Sequence, residues 1–571
     1  QGVVADFDAD FDPDIVEIVR IGQGSMGGMA RGLAFLSSLL HSRPDLQLKY
    51  EGYPVKVPKS LIIASDGFNE FVKKNTLYYL YGGRDHVIAK HFLKAPLPEW
   101  LVDSLGVFLE KVECPLAVRS SSMHEDARYR PYAGLYKTVT LANNHHDFTV
   151  RFRQLQDAVK YVYASTYFAN PRAYAKSIGQ SRHDSMSVII QQLIGQKSGD
   201  YFYPAISGVA QSYNYYPVSY MKPEDGIVSI SLGFGRTVVG GEKCLRFCPK
   251  YPKILPQFST VQQTLTNSQR YFYALNMTVH DSRNYLENEN LARLEISESP
   301  HSYAIERVSS TYIVDEERIR EAGIGPKVVM FSDILKYKTF PLCDVINDLL
   351  EICQKGMGGP VEIEFAVDLS ESQSKDTLYL LQARPLIVGH EKRDVQMEAS
   401  EIIEALCYSE HTLGHGVFSE MRDLVLVKKN AFAQSKTQSI AHEISEMNAK
   451  MSCAGKKYIL VGPGRWGSAD PLLGIPVQWH DISAVGGMVE LVNDQLKVDP
   501  SQGTHFFQNI TSLNIFYMTV RSGRTADRFD LEKTGQLSVI NETDHVIHLR
   551  SNNYLTVKVD GNSSRGVITI D

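Results

Sequence analysis

Alternation of apolar and acidic side chains in the stretch 361–368 constrains the fold more than any other feature. Its apolar residues point to one side and Glu362 and Glu364 to the other, as in a strand with one buried face. A polar hairpin loop follows, and then a second strand in which Gln382 and Arg384 share one face. Carboxylate and amide oxygens bind hard cations such as Mg²⁺, and arginines bind phosphates. The hairpin therefore predicts part of a Mg²⁺–nucleotide site.

A second stretch, more than two hundred residues earlier, places a guanidinium among hydroxyls and carboxylates. In Val118–Asp126, Arg119 is followed by three serines and then by Glu125 and Asp126. From the residues alone, Arg119 either binds phosphate or forms an ion pair with one of these acids at the end of a strand. The hairpin also has an interpretation without a ligand, in which its polar residues form a solvated face on an edge strand. The apolar residues before Gln382 disfavour this alternative.

A glycine-rich turn lies between a predicted strand that ends at Ile21 and a predicted helix that begins near Ala30. It contains Gly27 and Gly28 and three further glycines within eleven residues. Such turns allow backbone N–H groups to approach an anion at the start of a helix. The alternative is a tight strand–helix turn with no ligand.

Composition narrows the class of protein. A chain of 571 residues predicts roughly three to five domains or subdomains. The formal charge of −6 gives no general attraction to nucleic acid or membrane, and no apolar run approaches the ~18 residues that span a bilayer. Seven scattered cysteines fit a reducing cytoplasm. The start at Gln1, without a visible signal peptide, is interpreted as a processed end or as part of something longer.

Taken in order, these motifs resemble the nucleotide-binding (ATP-grasp) half of phosphoenolpyruvate synthase and pyruvate phosphate dikinase. The likeness covers about residues 20 to 390. Further segments that carry it are Val57–Ile63, Ala133–Gly134, Val188–Gln192, Ser207–Ala210 and Gly233–Gly241. The resemblance implies an α+β fold that binds ATP and Mg²⁺ and an ATP-dependent phosphotransferase that cleaves a phosphoanhydride.

The resemblance also implies roles for individual residues. Arg119 and Arg384 are expected to be catalytic, and Glu364 and Gln382 to bind the metal. The expected nucleotide-binding residues are Gly27, Gly28, Arg119, Gln191, Gln192, Gly233, Gly235 and Arg384. Gln191 and Gln192 resemble the hinge beside the adenine, although the end of a core strand explains them equally well.

Several departures from the family pattern bear on activity. Met29 stands where the family has a lysine that reaches the phosphates, and Arg236 stands where it has an acid. The segment Gly462–Asp470, where the family has its phosphohistidine, contains no histidine. The residues after 390 are also too few for both a swivelling domain and the barrel that binds phosphoenolpyruvate. The phosphoryl acceptor is therefore expected on a separate phosphohistidine or acceptor domain.

Two other functions stay open. One is a catalytically impaired ATP-binding sensor or interaction module, which the methionine and the missing histidine favour. The other is an ATP-grasp ligase that joins a carboxylate to an amine, which gives no reason for the Arg119 motif and ranks last.

The expected organisation has four parts. The two ATP-grasp subdomains cover residues 1–185 and 186–392, a diverged swivel-like α/β module covers 393–530, and a β-rich tail covers 531–571. Among the local predictions are helices over 260–276, 281–293 and 340–355, the last capped by Gly356.

Overall fold

The architecture is that of a computed structural model. It describes residues 3–14, 16–123, 133–179, 185–218, 220–278, 286–287, 290–299, 302–321, 323–370, 375–386, 388, 395–492, 504–513, 515–521, 526–561 and 563–570.

The chain divides into two compact units. The first consists of residues 1–171, 182–239 and 243–386, and the second of residues 172–181, 240–242 and 387–571. Both units mix helices and sheets. This content agrees with the predicted α+β class. Within the described residues, no helix has the length and apolar character needed to cross a membrane.

The first sheet of unit one has six strands and carries the arginine motif near its edge. In spatial order, its strands are Val4–Asp6, Ile18–Ile21, Ser60–Ile63, Met186–Gln192, Leu116–Ser122 and Thr138–Leu141. The first three run parallel, and the strand Met186–Gln192 is antiparallel to both of its neighbours. We call Leu116–Ser122 the arginine strand.

The second sheet of unit one also has six strands and carries the predicted hairpin. In spatial order, its strands are Leu245–Phe247, Ile227–Ser231, Ile206–Gln211, Val361–Asp368, Thr377–Pro385 and Val55–Lys56. We call Val361–Asp368 the acidic strand and Thr377–Pro385 the amide strand. The acidic strand is antiparallel to both neighbours, as a hairpin requires.

Two smaller sheets complete the strands of unit one. They contain Leu291–Glu295, Tyr271–Asn276, Tyr201–Tyr203 and Gln196–Ser198 in one sheet, and Arg318–Arg320, Ser309–Ile313 and Lys327–Val329 in the other.

Several α-helices begin in unit one, and the one that begins at Ala169 continues into unit two. They are Gly27–His41, Pro44–Lys49, Ser65–Lys74, Asp85–Lys94, Glu99–Lys111, Phe148–Ser165, Ala169–Ser177, Arg236–Val239, Val261–Asn267, Tyr303–Val308, Ser332–Leu335 and Leu342–Met357.

One large apolar core holds the first unit together. The helix Gly27–His41, here called the glycine helix, contributes Leu33 and Leu36, and the acidic strand contributes Ile363 and Phe365, all fully buried. Strands from both six-stranded sheets supply further side chains to this core. The apolar residues of the alternating pattern therefore form part of the core, and Glu362 and Glu364 lie on the opposite face of the strand.

The second unit is built on a ten-stranded sheet. Nine strands follow one another in the order Thr412–Leu413, Phe516–Arg521, Val485–Val492, Tyr458–Pro463, Gly416–Val427, Val546–Asp560, Arg565–Ile570, Cys407–Ser409 and Arg528–Phe529, and Ser538–Glu542 pairs with Val546–Asp560. Four of the strands, from Gly416–Val427 to Phe516–Arg521, form a parallel array. Among the described residues, the α-helices that begin in this unit are Ala399–Glu404, Thr437–Cys453, His505–Ser512 and Leu531–Thr534, and Arg465–Trp466 and Gly474–Ile475 form a two-stranded sheet.

Strand pairing crosses two of the boundaries expected from the sequence. Met186–Gln192 lies inside the first sheet, although it follows the expected boundary at residue 185. Val546–Asp560, from the expected tail, pairs with Gly416–Val427 over nine residue pairs. Strands that are distant in the chain are joined by backbone hydrogen bonds, which local composition does not reveal.

Two predicted helices differ from the structure. The helix expected over 260–276 ends at Asn267, and Tyr271–Asn276 is a strand whose β-favouring Tyr271 and Phe272 pair with Leu291–Glu295. The helix expected over 281–293 falls largely outside the described residues, and its last three residues are strand.

The third predicted helix is present over Leu342–Met357, but its capping residue is different. The helix ends at Gly358, whose φ of 70° is the left-handed conformation typical of a C-terminal glycine. Gly356 lies inside the helix, where a Cβ would come within 2.7 Å of the Phe35 ring.

Candidate functional site

The hairpin places four polar side chains in two facing pairs. Glu362 is opposite Arg384, and Glu364 is opposite Gln382, across the antiparallel acidic and amide strands. The register shifts directly after Glu364, where the pairing skips Leu381. Such a bulge twists the strand locally and redirects side chains near it. The facing pairs bring both carboxylates and the amide to one face of the second sheet.

Arg384 is held by two carboxylates in a buried position. Its Nε and Nη2 donate to Glu362 Oε1 at 2.9 and 2.5 Å, and Nη2 also donates to Glu364 Oε1 at 3.2 Å. Glu362 is 1% exposed and also accepts a 2.6 Å hydrogen bond from Gln211 Nε2. Burial chiefly, with the charge of Glu362, raises the pKa of Tyr215, so that phenol stays protonated.

Arg119 joins the first sheet to this face of the second. Its Nη2 donates to Gln382 Oε1 at 3.3 Å and lies 3.6 Å from Glu364 Oε2. Its Nη1 donates to Gln191 Oε1, also at 3.3 Å, on the neighbouring strand of the first sheet. Arg119 and Glu364 have side chains that are only 16% and 13% exposed. The two predicted halves of the site therefore meet.

We call the seven residues that these contacts join the polar cluster; they are Arg119, Gln191, Gln211, Glu362, Glu364, Gln382 and Arg384. Two arginines and two glutamates balance its formal charge. Each charge is compensated by a partner, which is what permits charged groups to be this deeply buried. A phosphate ligand that binds the arginines would free carboxylate oxygens for a cation.

The glycine helix begins beside the arginine strand. Ser121 Oγ donates to the carbonyl of Met26 and accepts from the amide of Ala30. At Gly27, which has φ 79°, a Cβ would lie 1.6 Å from the carbonyl oxygen of Ser121. Only glycine permits this approach. Arg119 is two residues before Ser121 and shares its face of the strand. Gly27 and Gly28 therefore lie near the face that carries Arg119.

Met29 and Arg31 take different positions on this helix. Met29 is 5% exposed and belongs to the main apolar core. Arg31 is exposed, and its Nη1 lies 3.4 Å from Met123 Sδ, at the end of the arginine strand. Arg31 thus supplies a guanidinium on the first turns of this helix, and Met29 adds no cationic group.

Residues 233–239 of the glycine loop Gly233–Gly241 lie in unit one and pack on the face of the second sheet that carries Glu364. Val209, which pairs with Glu364, packs against Val238 from this loop. Gly233 has φ 79°, and a Cβ there would be 2.6 Å from the carbonyl oxygen of Tyr273. Arg236 stacks on the Tyr273 ring with 4.9 Å between its guanidinium carbon and the ring centroid. Gly235, where a Cβ would be 3.6 Å from Ser207 Cβ, therefore lies over the same sheet face as the polar cluster, and Gly233 lies beside the strand Tyr271–Asn276.

Gln192, another predicted site residue, does not belong to the polar cluster. Gln192 points away from Gln191, as neighbours on a strand do, and lines a small cavity of about 30 Å³ with Phe11 and Phe108. His124, Glu125 and Asp126, the acidic end of the arginine motif, lie outside the described residues.

The donor set of the cluster suits a hard cation. Glu364 and Gln382 present carboxylate and amide oxygens from facing strand positions. Mg²⁺ prefers oxygen ligands and usually keeps waters and phosphate oxygens in its shell, so two protein ligands are sufficient. In the described part of the chain, no group of three histidine, cysteine, aspartate or glutamate residues is arranged to bind a metal by itself.

Two arginines and two carboxylates are therefore in mutual contact at one face of the second sheet. Residues 24–404 match the family described as pyruvate phosphate dikinase, AMP/ATP-binding domain. The chain belongs to this family, as the motifs predicted.

The chain also shows a distant similarity to a named protein. The chain is similar to the uncharacterized phosphotransferase YvkC of Bacillus subtilis (strain 168), with 24% identity over 362 residues. The similarity covers 63% of this chain and 34% of that protein. The aligned part thus spans about a third of the relative.

Glu362 and Gln211 are the cluster residues that the sequence did not single out. Glu362 was visible in the alternation, on the same strand face as Glu364, and its position opposite Arg384 is the signal that could have identified it. Gln211 gives no such signal, because its contact depends on the pairing of a strand 151 residues away.

Proposed function

We propose that this chain binds Mg²⁺–ATP at the polar cluster and transfers a phosphoryl group from it. It would act as an ATP-grasp phosphotransferase of the phosphoenolpyruvate synthase and pyruvate phosphate dikinase type. The observation that carries the proposal is the contact of Arg119 with Glu364 and Gln382, which joins a guanidinium of one sheet to the oxygen donors of the other.

The proposed roles follow from charge. Arg119 and Arg384 would bind the phosphates and stabilise negative charge that develops during transfer. Glu364 and Gln382 would hold the metal, which supplies electrostatic stabilisation of the phosphate oxygens when it is bound. Glu362 would keep the Arg384 side chain in place, because its carboxylate accepts two hydrogen bonds from that guanidinium.

The glycine segments and the hinge complete the proposed nucleotide site. Gly27 and Gly28 would offer backbone N–H groups to the phosphates at the start of the glycine helix. Gly233 and Gly235 would let the covering loop approach the nucleotide closely. Gln191 and Gln192 would border the adenine with their backbone, whichever way their side chains point.

The phosphoryl acceptor is proposed to lie on a separate phosphohistidine or acceptor domain. The aligned part covers 34% of the relative, so the chemistry of the longer protein can involve segments that have no counterpart in that alignment. If this chain cleaves ATP without such a domain, water would accept the transferred group.

Incubation with ATP labelled separately at the α and γ positions tests the main proposal. We expect Mg²⁺-dependent α label in AMP and γ label in pyrophosphate, because water that accepts the group at the α–β anhydride releases these two products, and no labelled product after chelation with EDTA. Glu364→Gln should lower the rate at least about 100-fold. An amide replaces a negatively charged ligand, and the guanidinium of Arg119 loses the carboxylate of Glu364 as a partner. ADP as the main product would contradict dikinase-type cleavage, and no product at any metal concentration would contradict turnover.

A second candidate is a nucleotide-binding module without turnover. The burial of Met29 in the apolar core favours it, since this position supplies no cation for the phosphates. Thermal stabilisation by Mg²⁺–ATP with no labelled product, together with loss of that stabilisation in Arg119→Met, would support this candidate over the phosphotransferase.

A further inference from the structure

Two glycines of the glycine turn, residues 22–28, pack against the start of a neighbouring helix. At Gly22, which has φ 87°, a Cβ would lie 2.5 Å from Asp66 Oδ1, and at Gly24 a Cβ would lie 2.7 Å from Ser65 Oγ. Ser65 and Asp66 are the first two residues of the helix Ser65–Lys74. Only glycine permits approaches this close. Gly22 and Gly24 therefore serve this contact, which the proposed phosphate site does not explain.

The start of this helix also holds the turn by hydrogen bonds. The amide of Gln23 donates to Asp66 Oδ2 at 2.8 Å. The amide of Ser25 donates to Ser65 Oγ at 3.0 Å, and the carbonyl of Ser25 accepts from the amide of Ser65 at 2.9 Å. Because both backbone groups of Ser25 are bound to one residue of another segment, the turn is fixed relative to the helix.

The first sheet supplies a further anchor in Ser187. This residue is 1% exposed, and its Oγ donates to the carbonyl of Ser25 at 2.7 Å. Ser187 pairs with Ser121 of the arginine strand, whose Oγ contacts the backbone of Met26 and Ala30. Residues 23–30 are thus held by side chains from separate segments of the chain.

The serine anchors share a sheet face with part of the polar cluster. Arg119 is two residues before Ser121, and Gln191 is four residues after Ser187. Side chains separated by an even number of residues on a strand point to the same side. The spacing between the turn and the Arg119 guanidinium therefore depends on contacts that are already made within one sheet.

The glycine helix, which continues the turn, also reaches the amide strand. At Gly32, a Cβ would lie 2.6 Å from the carbonyl oxygen of Ala383. Ala383 stands between Gln382 and Arg384 in the amide strand. The segment that begins with the turn is therefore fixed against both of the strands that carry the proposed phosphate arginines.

We propose that Ser65, Asp66 and Ser187 are positioning residues for the phosphates of the nucleotide. They act through the glycine turn, whose backbone they hold, and need no contact with the ligand. A glycine-rich segment has more backbone freedom to lose than other segments, so ordering it only at the moment of binding would weaken affinity. This role rests on the proposed function, because it requires that the turn meets the phosphates.

Hydrogen exchange of the whole chain without nucleotide measures whether these anchors hold the turn. In peptides that cover residues 22–30, Asp66→Ala and Ser187→Ala should each speed exchange at least about fivefold, the order expected from the loss of one hydrogen bond. Exchange equal to that of the original chain in both variants would overturn the proposal.

Two matched variants serve as controls and should change this exchange less than about twofold, the effect expected of a side chain that makes no contact with the turn. Glu70→Ala removes a carboxylate of the same helix that accepts from Trp100 Nε1. Ser104→Ala removes a hydroxyl that donates to the carbonyl of Trp100. Exchange that is as fast in the controls as in Asp66→Ala and Ser187→Ala would also overturn the proposal.

Calorimetric titration with Mg²⁺–ATP measures whether a fixed turn matters for binding. We expect Asp66→Ala and Ser187→Ala to bind the nucleotide at least about fivefold more weakly than the original chain, with an unchanged number of sites. A variant that merely loses folded chain would show fewer sites at unchanged affinity. The two quantities therefore separate positioning of the phosphates from a general loss of structure.

The outcomes also separate this role from the proposed function. Faster exchange with unchanged affinity, or fewer sites at unchanged affinity, would overturn the positioning role while the original chain still binds nucleotide. Weaker affinity in both variants would support the role even where labelled ATP shows no turnover, a result that contradicts the phosphotransferase alone. Absence of Mg²⁺–ATP binding to the original chain would overturn both.

Discussion

Arg119 and Gln382 are 263 residues apart in the chain, yet Nη2 of the first donates to Oε1 of the second at 3.3 Å. One residue comes from the first sheet and the other from the hairpin of the second. The same guanidinium nitrogen lies 3.6 Å from Glu364. The proposed phosphate and metal ligands are therefore already in contact, so ligand binding would exchange partners among groups that are in place.

Arg119→Met should reduce Mg²⁺–ATP turnover about 100-fold or more, because it removes the guanidinium that contacts both proposed metal ligands. Arg119→Lys should recover little of this loss, since an ammonium cannot reproduce the planar, forked geometry of a guanidinium. Rates from labelled ATP measure both effects. As a matched control, Arg20→Met removes a guanidinium from the same sheet that pairs with exposed Asp6, and it should leave turnover unchanged.

Glu362→Ala should destabilise the first unit by about 3–5 kcal/mol, because it leaves Arg384 buried with a weaker partner at 3.2 Å. The paired replacement Glu362→Met with Arg384→Met should recover most of that stability, since it leaves no buried charge at these two positions. Hydrogen exchange of the acidic strand measures local opening of this unit directly. Equal exchange in Glu362→Ala and in the original chain would contradict the role of this ion pair.

The sequence was most informative where chemistry and periodicity coincide. The alternation in the acidic strand predicted which side chains share a face, and the register confirms that Glu362 and Glu364 do. Family motifs predicted that Arg119 belongs with the hairpin, although no local pattern links residues so far apart.

The sequence was least informative about pairing between distant strands. Nothing in Met186–Gln192 shows that it lies between Ser60–Ile63 and Leu116–Ser122, because a buried apolar strand fits many positions in a sheet. The helix predicted over 260–276 was wrong in its second half for a similar reason. Tyr271–Asn276 begins with β-favouring aromatic residues, and it pairs with Leu291–Glu295, a partner that the local sequence does not show.

Met29→Lys should increase Mg²⁺–ATP affinity about tenfold, since an ammonium that extends from the first turn of the glycine helix adds a charge-assisted contact to the phosphates. The long aliphatic part of lysine can occupy the apolar position of Met29 while its charged end reaches solvent or ligand. Met29→Leu, which preserves the apolar contact without a charge, should leave affinity unchanged. Titration of each variant with ATP and Mg²⁺ is the measurement, and no gain with lysine would argue against the glycine turn as a phosphate loop.

Acid should destabilise the second unit partly through Asp423. Burial by itself would raise the pKa of this carboxyl, but hydrogen bonds from His548 and Arg550 outweigh it and hold the pKa below its ordinary value. A carboxyl whose pKa is lower in the folded chain stabilises the fold above its unfolded pKa of about 3.9, and this contribution is lost as the pH falls through the folded pKa. Asp423→Asn should therefore lower stability at pH 7 and flatten the loss of stability below about pH 4.

Urea unfolding followed by tryptophan fluorescence in a Trp100→Phe background, in which Trp466 and Trp479 of the second unit remain, measures this effect at a series of pH values between 2 and 7. Asp544→Asn, at an exposed turn position of the same unit, serves as the control and should keep the original pH profile. The lost carboxylate accepts hydrogen bonds from His548 and Arg550 at position 423 and is exposed at position 544. Parallel profiles for Asp423→Asn and the original chain would mean that other carboxyl groups govern the acid sensitivity of this unit.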